Sequence, residues 1–293
     1  MGAVTTLPLC RAFGWDKASM FRQHDVQEFY HALKGALRKQ RATLAPQLDE
    51  IFFGEQRILS RCAACGKSSE RAEKFSDISL VVEGFNHLEA SLEQFTGEEI
   101  LTGSNKVRCS KCASKQEATR QICLSTLPKA LIFHLKRFRW DFSTGRGRRV
   151  KNEDFFGIPA TLSLPEPRPR LGAEKLGKIE NDFKKSAEGK TKPTTSSLVT
   201  YHAVSILMHT GLAATGHYYA FIRVKGKWYQ FDDQRVTEIS RKDASSMFCT
   251  LQDIKKAIPT SQSTAFPSPP PGGVPLPLGG VPLPPGGVPP PPG

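Results

Sequence analysis

Four cysteines form two Cys-x-x-Cys pairs, Cys62 with Cys65 and Cys109 with Cys112, with 43 residues between the pairs. Two thiolates per pair supply the four soft ligands that tetrahedral zinc prefers, and Gly66 suits the tight turn that follows the first pair. Because four protein ligands leave no open position for water or substrate, we expect one structural zinc ion. The long separation predicts that each pair lies at the tip of a β-hairpin, with the metal joining the two tips.

A histidine and two acids stand at the outer ends of a second predicted hairpin. His217 begins one apolar run, Asp232 and Asp233 end the next, and Lys225-Gly226 between the runs is a turn signal. Such a hairpin brings His217 and Asp232 within hydrogen-bonding range, the arrangement in which an acid orients an imidazole base. A histidine beside an acid is also a common structural pair, so these residues alone leave both interpretations open.

One helix and six short strands are predicted around these residues. Residues 21–38 carry apolar side chains at three- and four-residue spacings, which indicates one buried helix face: Val26, Phe29, Tyr30, Leu33 and Leu37. Short apolar or alternating runs between turn-rich segments predict strands, at 58–60, 77–82, 131–135, 201–209, 217–224 and 227–231.

Composition predicts a reducing compartment and argues against a dedicated nucleic-acid site. The number of cysteines, seven, is odd, and the sequence shows no export signal. Both observations favour free thiols or metal ligands over disulfides. Much of the net charge of +13 lies in residues 137–192, which we interpret as a solvated basic stretch. With no apolar run that could span a membrane, we expect a cytoplasmic or nuclear protein without a membrane partner.

Two segments have compositions that do not support a packed core. Residues 165–197, rich in Lys, Glu, Pro and Ser, are typical of a mobile insertion. We therefore expect one domain over 1–258 and a disordered tail over 259–293, where Gly-Gly-Val-Pro recurs in a proline-dominated tract. Such a tract favours polyproline II and is either inert or a ligand for SH3, WW or profilin-like partners.

Six motifs occur in the order found in ubiquitin-specific proteases, and over residues 13–239 the chain resembles that family. The motifs are Gln23-His-Asp-Val-Gln-Glu-Phe29, the two Cys-x-x-Cys pairs, the segment 127–138, Tyr201-His-Ala-Val204, Gly216-His-Tyr218 and Trp228 to Asp233. Phe13-Gly14-Trp15 resembles the branch that includes herpesvirus-associated ubiquitin-specific protease. The resemblance implies an α+β, papain-like hand with a partial helical thumb, zinc-linked β fingers and a β-rich palm.

The resemblance also implies roles for individual residues. His217 would be the general base that activates a cysteine thiol, Asp232 the acid that orients it, and Asp233 an assistant to the base or the oxyanion. Asp25 and Glu28 would meet arginines near the ubiquitin tail, although without the resemblance they read as a solvated helix face. Ubiquitin and ubiquitinated proteins would be the partners, and the reaction hydrolysis of the peptide or isopeptide bond after the ubiquitin C-terminus.

The nucleophile motif of the family, Gly-x-x-Asn-x-Gly-Asn-Thr-Cys, does not occur in this sequence. Cys10 has no glycine or asparagine beside it to build an oxyanion hole, and Cys123 and Cys249 read as ordinary small hydrophobes. We expect a fragment of an active protease, a chain that pairs with another carrying the cysteine, or a non-catalytic relative. Retention of both His217 and Asp232 favours the first.

Two rival functions belong to other classes. One is a non-catalytic, zinc-stabilised ubiquitin-binding module with a proline-rich recruiting tail. The other is a zinc-ribbon protein that holds nucleic acid through its basic stretch, which leaves the Gln23 and Gly216-His217-Tyr218 motifs unexplained.

Overall fold

A computed structural model describes residues 5–12, 25–40, 42–143, 145, 147–167, 197–213 and 215–248. The herpesvirus-branch motif at 13–15, residues 21–24 of the expected helix, Cys249, the boundary at 258 and the tail 259–293 lie outside the described residues. The same is true of 168–196, most of the expected insertion.

Five α-helices occur in the described residues, and none of them is long and apolar enough to cross a membrane. They are α1 (Leu7–Ala12), α2 (Val26–Gln40), α3 (Ala45–Phe52), α4 (Leu88–Thr96) and α5 (Arg241–Ser246). The described part of the predicted 21–38 helix is confirmed by α2. Its apolar face is less buried than expected: Leu37 is exposed, while the side chain buried most deeply on this helix is Lys34.

The described residues also contain two short 3₁₀ helices, Ala42–Leu44 and Gly103–Asn105. The sixteen described strands are, in chain order, β1 (Gly54–Cys62), β2 (Ser68–Phe75), β3 (Ile78–Val81), β4 (Glu98–Leu101), β5 (Val107–Arg108), β6 (Lys115–Gln116), β7 (Ala118–Thr126), β8 (Phe133–Lys136), β9 (Phe138–Asp141), β10 (Arg148–Lys151), β11 (Thr161–Pro165), β12 (Leu198–His202), β13 (Ser205–Gly211), β14 (Gly216–Val224), β15 (Lys227–Asp232) and β16 (Arg235–Glu238).

These strands form two four-stranded sheets and four two-stranded ones. The finger sheet has the order β2-β1-β7-β4, and the short hairpin β5-β6 belongs to the same stretch of chain. The palm sheet has the order β13-β14-β15-β16, with every neighbour antiparallel. Strands β3 and β8 pair in parallel, and β9 with β10 and β11 with β12 form the remaining pairs.

The predicted single strand over 201–209 is wrong, because the chain changes sheet within it. Residues up to His202 pair with β11, whereas residues from Ser205 pair with β14. At the change, the amide of Ala203 donates to the carbonyl of Ala160, which precedes β11. The carbonyl of Val204 accepts from the amide of Arg223 in β14. The other five predicted strands are confirmed, most with shifted or extended bounds.

The core lies where β3 and β8 meet α4 and β11. In β3 the alternating residues Ile78 and Leu80 are 1% and 0% exposed, and Leu88 and Leu92 of α4 pack into the same cluster. Burying a side chain of this size contributes about 1.5–3 kcal/mol. Helices and mostly antiparallel sheets around this core give the α+β class predicted from the sequence.

Candidate active site and metal centre

The two Cys-x-x-Cys pairs lie at the tips of two β-hairpins, as predicted. Cys62 ends β1 and Cys65 lies in the turn to β2, whereas Cys109 and Cys112 lie between β5 and β6. The four sulfur atoms all lie within 4.8 Å of one another, and none of these thiols forms a disulfide. This arrangement could hold a single metal ion through four sulfur ligands.

Backbone geometry and two hydrogen bonds hold the hairpin tips together. The first turn needs the left-handed conformation of Gly66, at φ +68°. The amide of Ala63 donates to the carbonyl of Glu117 at 2.9 Å, and Nζ of Lys67 donates to Oγ of Ser110 at 2.9 Å. The ligands are therefore brought together by protein contacts as well as by their spacing in sequence.

The acidity of the thiols fits a cation-binding cluster. The amide of Cys112 holds the pKa of the Cys109 thiol down to about 6, whereas a hydrogen bond with Cys65 raises the pKa of the Cys112 thiol to about 12. Adjacent thiolates repel one another, and a bound divalent cation offsets that repulsion and so favours the deprotonated form of all four. Four thiolates at hairpin tips are the donor set that zinc prefers.

His217 and Asp232 form a hydrogen bond on one face of the palm sheet. Nε2 of His217 lies 2.5 Å from Oδ1 of Asp232. The register pairs Ala220 with Phe231, so one further step would set Asp232 opposite Tyr219. Because alternate side chains share a face, His217 is the diagonal neighbour of Asp232 on that face.

The surroundings of His217 favour its charged form. Its side chain is 45% exposed and that of Asp232 is 37% exposed. The hydrogen bond that His217 donates to the Asp232 carboxylate raises the pKa of His217, partial desolvation opposes this, and the charges of Asp232 and Asp233 raise it further. Asp233 lies at φ +50° in the two-residue turn between β15 and β16, which turns the chain back beside the imidazole.

The same three side chains meet the proximity expected of a metal site, since their ligand atoms lie within 4.8 Å of one another. Nε2 of His217 is already engaged by Asp232, and exposed acids commonly cluster without a metal, so this proximity alone does not indicate a metal site.

Gly216, which precedes His217, has no room for a side chain. A Cβ at this position would collide with the ring of His209 and the carbonyl oxygen of Thr210. Glycine therefore permits the close approach of β13 to the start of β14.

Asp25 and Glu28 lie at the start of α2, and Asp25 caps that helix. Oδ1 of Asp25 accepts from the amides of Gln27 at 2.8 Å and Glu28 at 3.3 Å. Oδ2 of Asp25 lies 3.8 Å from Nη2 of Arg149 on β10. Glu28 is exposed on the first turn.

Sequence reasoning assigned no role to Gln27, which joins α2 to β3. Its Nε2 donates to Oδ2 of Asp77 at 2.6 Å and to Oγ of Ser79 at 2.9 Å. The available signal was a polar residue at the border of the apolar helix face. Because its partners lie about 50 residues away in the chain, sequence spacing could not identify them.

Part of the basic stretch 137–192 is not solvated, which corrects the expectation for two residues. Nη1 of Arg137 donates to the carbonyls of Asn152 and Asp154 at 3.2 and 3.0 Å. The side chain of Lys151 is only 11% exposed. Each of these cations donates hydrogen bonds to backbone carbonyls of another segment.

Among the described cysteines, no sulfur joins the cluster around His217. Cys10 lies in α1. Cys123 lies on β7 of the finger sheet, where burial raises the pKa of its thiol.

Comparison with known proteins agrees with this geometry. A family model described as ubiquitin carboxyl-terminal hydrolase matches residues 2–264. Ubiquitin carboxyl-terminal hydrolase 15 of Saccharomyces cerevisiae is 32% identical over 241 residues, covering 81% of this chain and 18% of that protein. Ubiquitin carboxyl-terminal hydrolase 47 of Mus musculus is 30% identical over 284 residues, covering 82% of this chain and 20% of that protein. The chain thus spans about a fifth of the length of these relatives.

A solved structure has the same fold. The SAGA Ubp8/Sgf11/Sus1/Sgf73 DUB module bound to ubiquitin aldehyde contains a chain that matches with a TM-score of 0.63 and 22% identity. The match covers 80% of this chain and 49% of that one, and at this identity it speaks to the fold alone. The described residues therefore form the α+β hand that the motifs predicted, with the cysteines at the fingers and His217 on the palm. By the family model and these relatives, the chain belongs to the ubiquitin carboxyl-terminal hydrolase family.

Proposed function

We propose that this chain supplies the base and the ubiquitin-binding surface of a cysteine-type deubiquitinase. The observation that carries the proposal is the 2.5 Å hydrogen bond between His217 and Asp232 on an exposed face of the palm sheet, in a member of this family. The reaction is hydrolysis of the peptide or isopeptide bond that follows the C-terminus of ubiquitin.

His217 acts as a proton carrier in this reaction. With Nε2 bonded to Asp232, Nδ1 takes the proton of a cysteine thiol, and the thiolate attacks the carbonyl carbon of the scissile bond. The imidazolium returns its proton to the departing amine as the carbon–nitrogen bond breaks, leaving a thioester. A water molecule, deprotonated by the same nitrogen, then hydrolyses the thioester and releases ubiquitin and the thiol.

Asp233 assists the base rather than the oxyanion. A carboxylate repels the negative charge that develops on the carbonyl oxygen, whereas it attracts the imidazolium that forms on the same step. The contribution of Asp233 to the raised pKa of His217 supports this choice.

The start of α2 and the four-cysteine cluster serve ubiquitin binding in different ways. Glu28, and Asp25 where its cap leaves an oxygen available, attract the arginines near the ubiquitin tail. One zinc ion held by Cys62, Cys65, Cys109 and Cys112 is structural and would fix the two finger hairpins relative to each other.

The nucleophilic thiol comes from a segment other than the described residues. None of the described cysteines lies with His217, and the sequence has no Asn-Thr-Cys segment. A segment of the same gene product or a second chain would supply it.

The absence of a cysteine beside His217 among the described residues favours one alternative function, a non-catalytic zinc-stabilised module that binds ubiquitin and is recruited through its proline-rich tail. Base and acid would then be retained without turnover.

Two measurements on the purified chain test the proposal: binding of ubiquitin by NMR titration, and cleavage of a fluorogenic ubiquitin substrate. We expect saturable binding without cleavage or labelling by a ubiquitin-based cysteine probe. Absence of ubiquitin binding by the folded chain would refute both functions. Probe labelling that disappears in Cys10→Ser would show that Cys10 is the nucleophile.

Several further features are part of the proposal. The tail after residue 258 recruits SH3, WW or profilin-like partners, and the protein works in the cytoplasm or nucleus. The relationship to the herpesvirus-associated branch rests on Phe13-Gly14-Trp15 alone.

A further inference from the structure

The backbone of His217 is set by the end of β13. Three successive pairs join β13 to β14 here: His209 with Tyr218, Thr210 with His217, and Gly211 with Gly216. Among the strands that the structure describes, β13 is at the edge of its sheet, with β14 as its one neighbour. Whatever fixes residues 209–211 also fixes the residue that carries the imidazole.

Lys151, the last residue of β10, lies on the side of β13 away from β14. Its Nζ donates to the carbonyl oxygens of His209 at 3.0 Å and Gly211 at 3.2 Å. Oε1 of Glu153 lies 3.3 Å from the same nitrogen, and the Lys151 side chain is 11% exposed. A largely buried ammonium with three acceptors forms charge-assisted hydrogen bonds, which are stronger and more directional than those of a solvated surface lysine.

The side chain of His209 transmits this constraint to the start of β14. Its ring packs against Phe138, with centroids 5.3 Å apart, and against Tyr218 at 4.7 Å. The same ring also fills the place that a Cβ of Gly216 would need. Lys151 thus holds residues 209–211 through the carbonyls of His209 and Gly211, and the ring of His209 packs against Gly216.

We propose that Lys151 is a positioning residue for His217: by binding the His209 and Gly211 carbonyls, its ammonium fixes the edge of the palm sheet so that the imidazole meets Asp232. The inference rests on the proposed function, since it concerns the base of that reaction. Lys151 touches neither substrate nor the reacting atoms. Its effect passes through the backbone pair of Thr210 with His217.

The test compares Lys151→Met, Lys151→Arg and the control Lys227→Met in the full chain. Lys227 lies on β15, in the same hairpin as His217, but it is exposed and pairs with Glu238. The readouts are the ¹⁵N resonances and the pKa of the His217 imidazole by NMR, with circular dichroism to verify folding.

In folded Lys151→Met we expect loss of the hydrogen-bonded imidazole N–H signal and a fall in the pKa of His217 toward that of an unpaired histidine. The charged groups that face His217 are Asp232 and Asp233. Removal of a cation by charge alone would raise the pKa of His217, so a fall reports lost contact with Asp232. Lys151→Arg should retain the signal because guanidinium can also donate to two carbonyls, and Lys227→Met should leave it unchanged.

An unchanged His217 signal in folded Lys151→Met would overturn the inference and show that Lys151 only stabilises the sheet. If Lys151→Met does not fold, Lys151→Ala, which likewise has no hydrogen-bond donor, carries the test with the same two outcomes. Ubiquitin titration of the same samples keeps the two proposals separate. A wild-type chain that does not bind ubiquitin contradicts the proposed function, while the His217 readout still decides the role of Lys151.

Discussion

At the scale of single residues, the link between His217 and Asp232 depends on pH through the charge of the imidazole. Asp232 raises the pKa of His217 because its carboxylate stabilises the protonated ring. The interaction therefore contributes to stability below the pKa of histidine in the unfolded chain, and the contribution disappears as the pH rises through the higher pKa of the folded protein. At neutral pH a larger fraction of His217 is protonated than of an isolated histidine, which favours a thiolate–imidazolium pair once a thiol is adjacent.

Asp232→Asn should lower the pKa of His217, because the amide oxygen can accept a hydrogen bond but carries no charge. The pKa is measured by following the imidazole resonances through a pH titration. Glu238→Gln is the matched control, since it removes a carboxylate from β16 of the same sheet, where Glu238 pairs with Lys227. A pKa that falls equally in both variants would mean that overall charge, rather than contact with Asp232, sets it.

Two substitutions separate the cap and the charge of Asp25. Asp25→Ala removes the acceptor of the Gln27 and Glu28 amides and should reduce the free energy of unfolding by about 1 kcal/mol, measured by urea denaturation. Asp25→Asn keeps a good cap and should cost little stability. If Asp25→Asn also leaves ubiquitin affinity unchanged while Glu28→Gln weakens it, Glu28 alone attracts the ubiquitin tail.

At the scale of elements, the features that could be predicted were those set by local signals. The hairpin 216–232 follows from Lys225-Gly226, which adopt φ of 49° and 85° as a two-residue turn requires. The cysteine pairs predicted hairpin tips, because ligand spacing constrains the chain directly.

Features set by long-range contacts could not be predicted. The change of sheet at Ala203 and Val204 depends on their partners, Ala160 just before β11 and Arg223 in β14, rather than on the apolar pattern, which continues through both residues. Lys151 lies among other basic residues, and only the folded chain distinguishes it by placing two carbonyls in reach of its ammonium. The proximity of His217 to Asp232 was predictable from one hairpin, whereas the group that supports the hairpin was not.

Cys109→Ser should abolish tight zinc binding, because three thiolates and a hydroxyl make a weaker site than four thiolates. The zinc content, measured by metal analysis, should fall from about one ion per chain. Amide hydrogen exchange should become faster in β5, β6 and the β1–β2 turn. Cys123→Ser is the control, since Cys123 is a half-buried thiol of the finger sheet outside the cluster. Wild-type protein that holds no zinc when folded would remove the basis of the assignment.

At the scale of the whole molecule, the core and the site are separate enough to be tested independently. The core cluster centres on β3, β8, α4 and β11, whereas His217 and Asp232 lie at the open end of the palm hairpin. Variants of the hairpin end should therefore fold.

Leu80→Ala, by contrast, should reduce the free energy of unfolding by about 2–5 kcal/mol, because Leu80 is fully buried in the core. Leu207→Ala is a matched control on the palm sheet, where the side chain is 46% exposed and the expected cost is below about 1 kcal/mol. Both are measured by urea denaturation, and equal costs would show that the palm face is covered in solution.

The proposed catalytic roles of His217 and Asp232 are tested by adding a thiol. Joining the chain to a segment that carries the Gly-x-x-Asn-x-Gly-Asn-Thr-Cys motif of a family member should give cleavage of a fluorogenic ubiquitin substrate. In that enzyme His217→Ala should lower kcat by about 10²- to 10⁴-fold, because the thiol is mostly protonated near neutral pH without a base. Asp232→Asn should have a smaller effect, since the base remains but is poorly oriented.

Ubiquitin affinity, measured separately by titration, should be retained in both variants, because neither residue is assigned to the binding surface. Glu238→Gln again serves as the control for kcat. A joined enzyme that cleaves ubiquitin and keeps its kcat after His217→Ala would exclude His217 as the base. Loss of affinity together with kcat would instead mean that His217 holds the palm surface in shape, because a base that acts only on the thiol has no reason to alter the binding of ubiquitin.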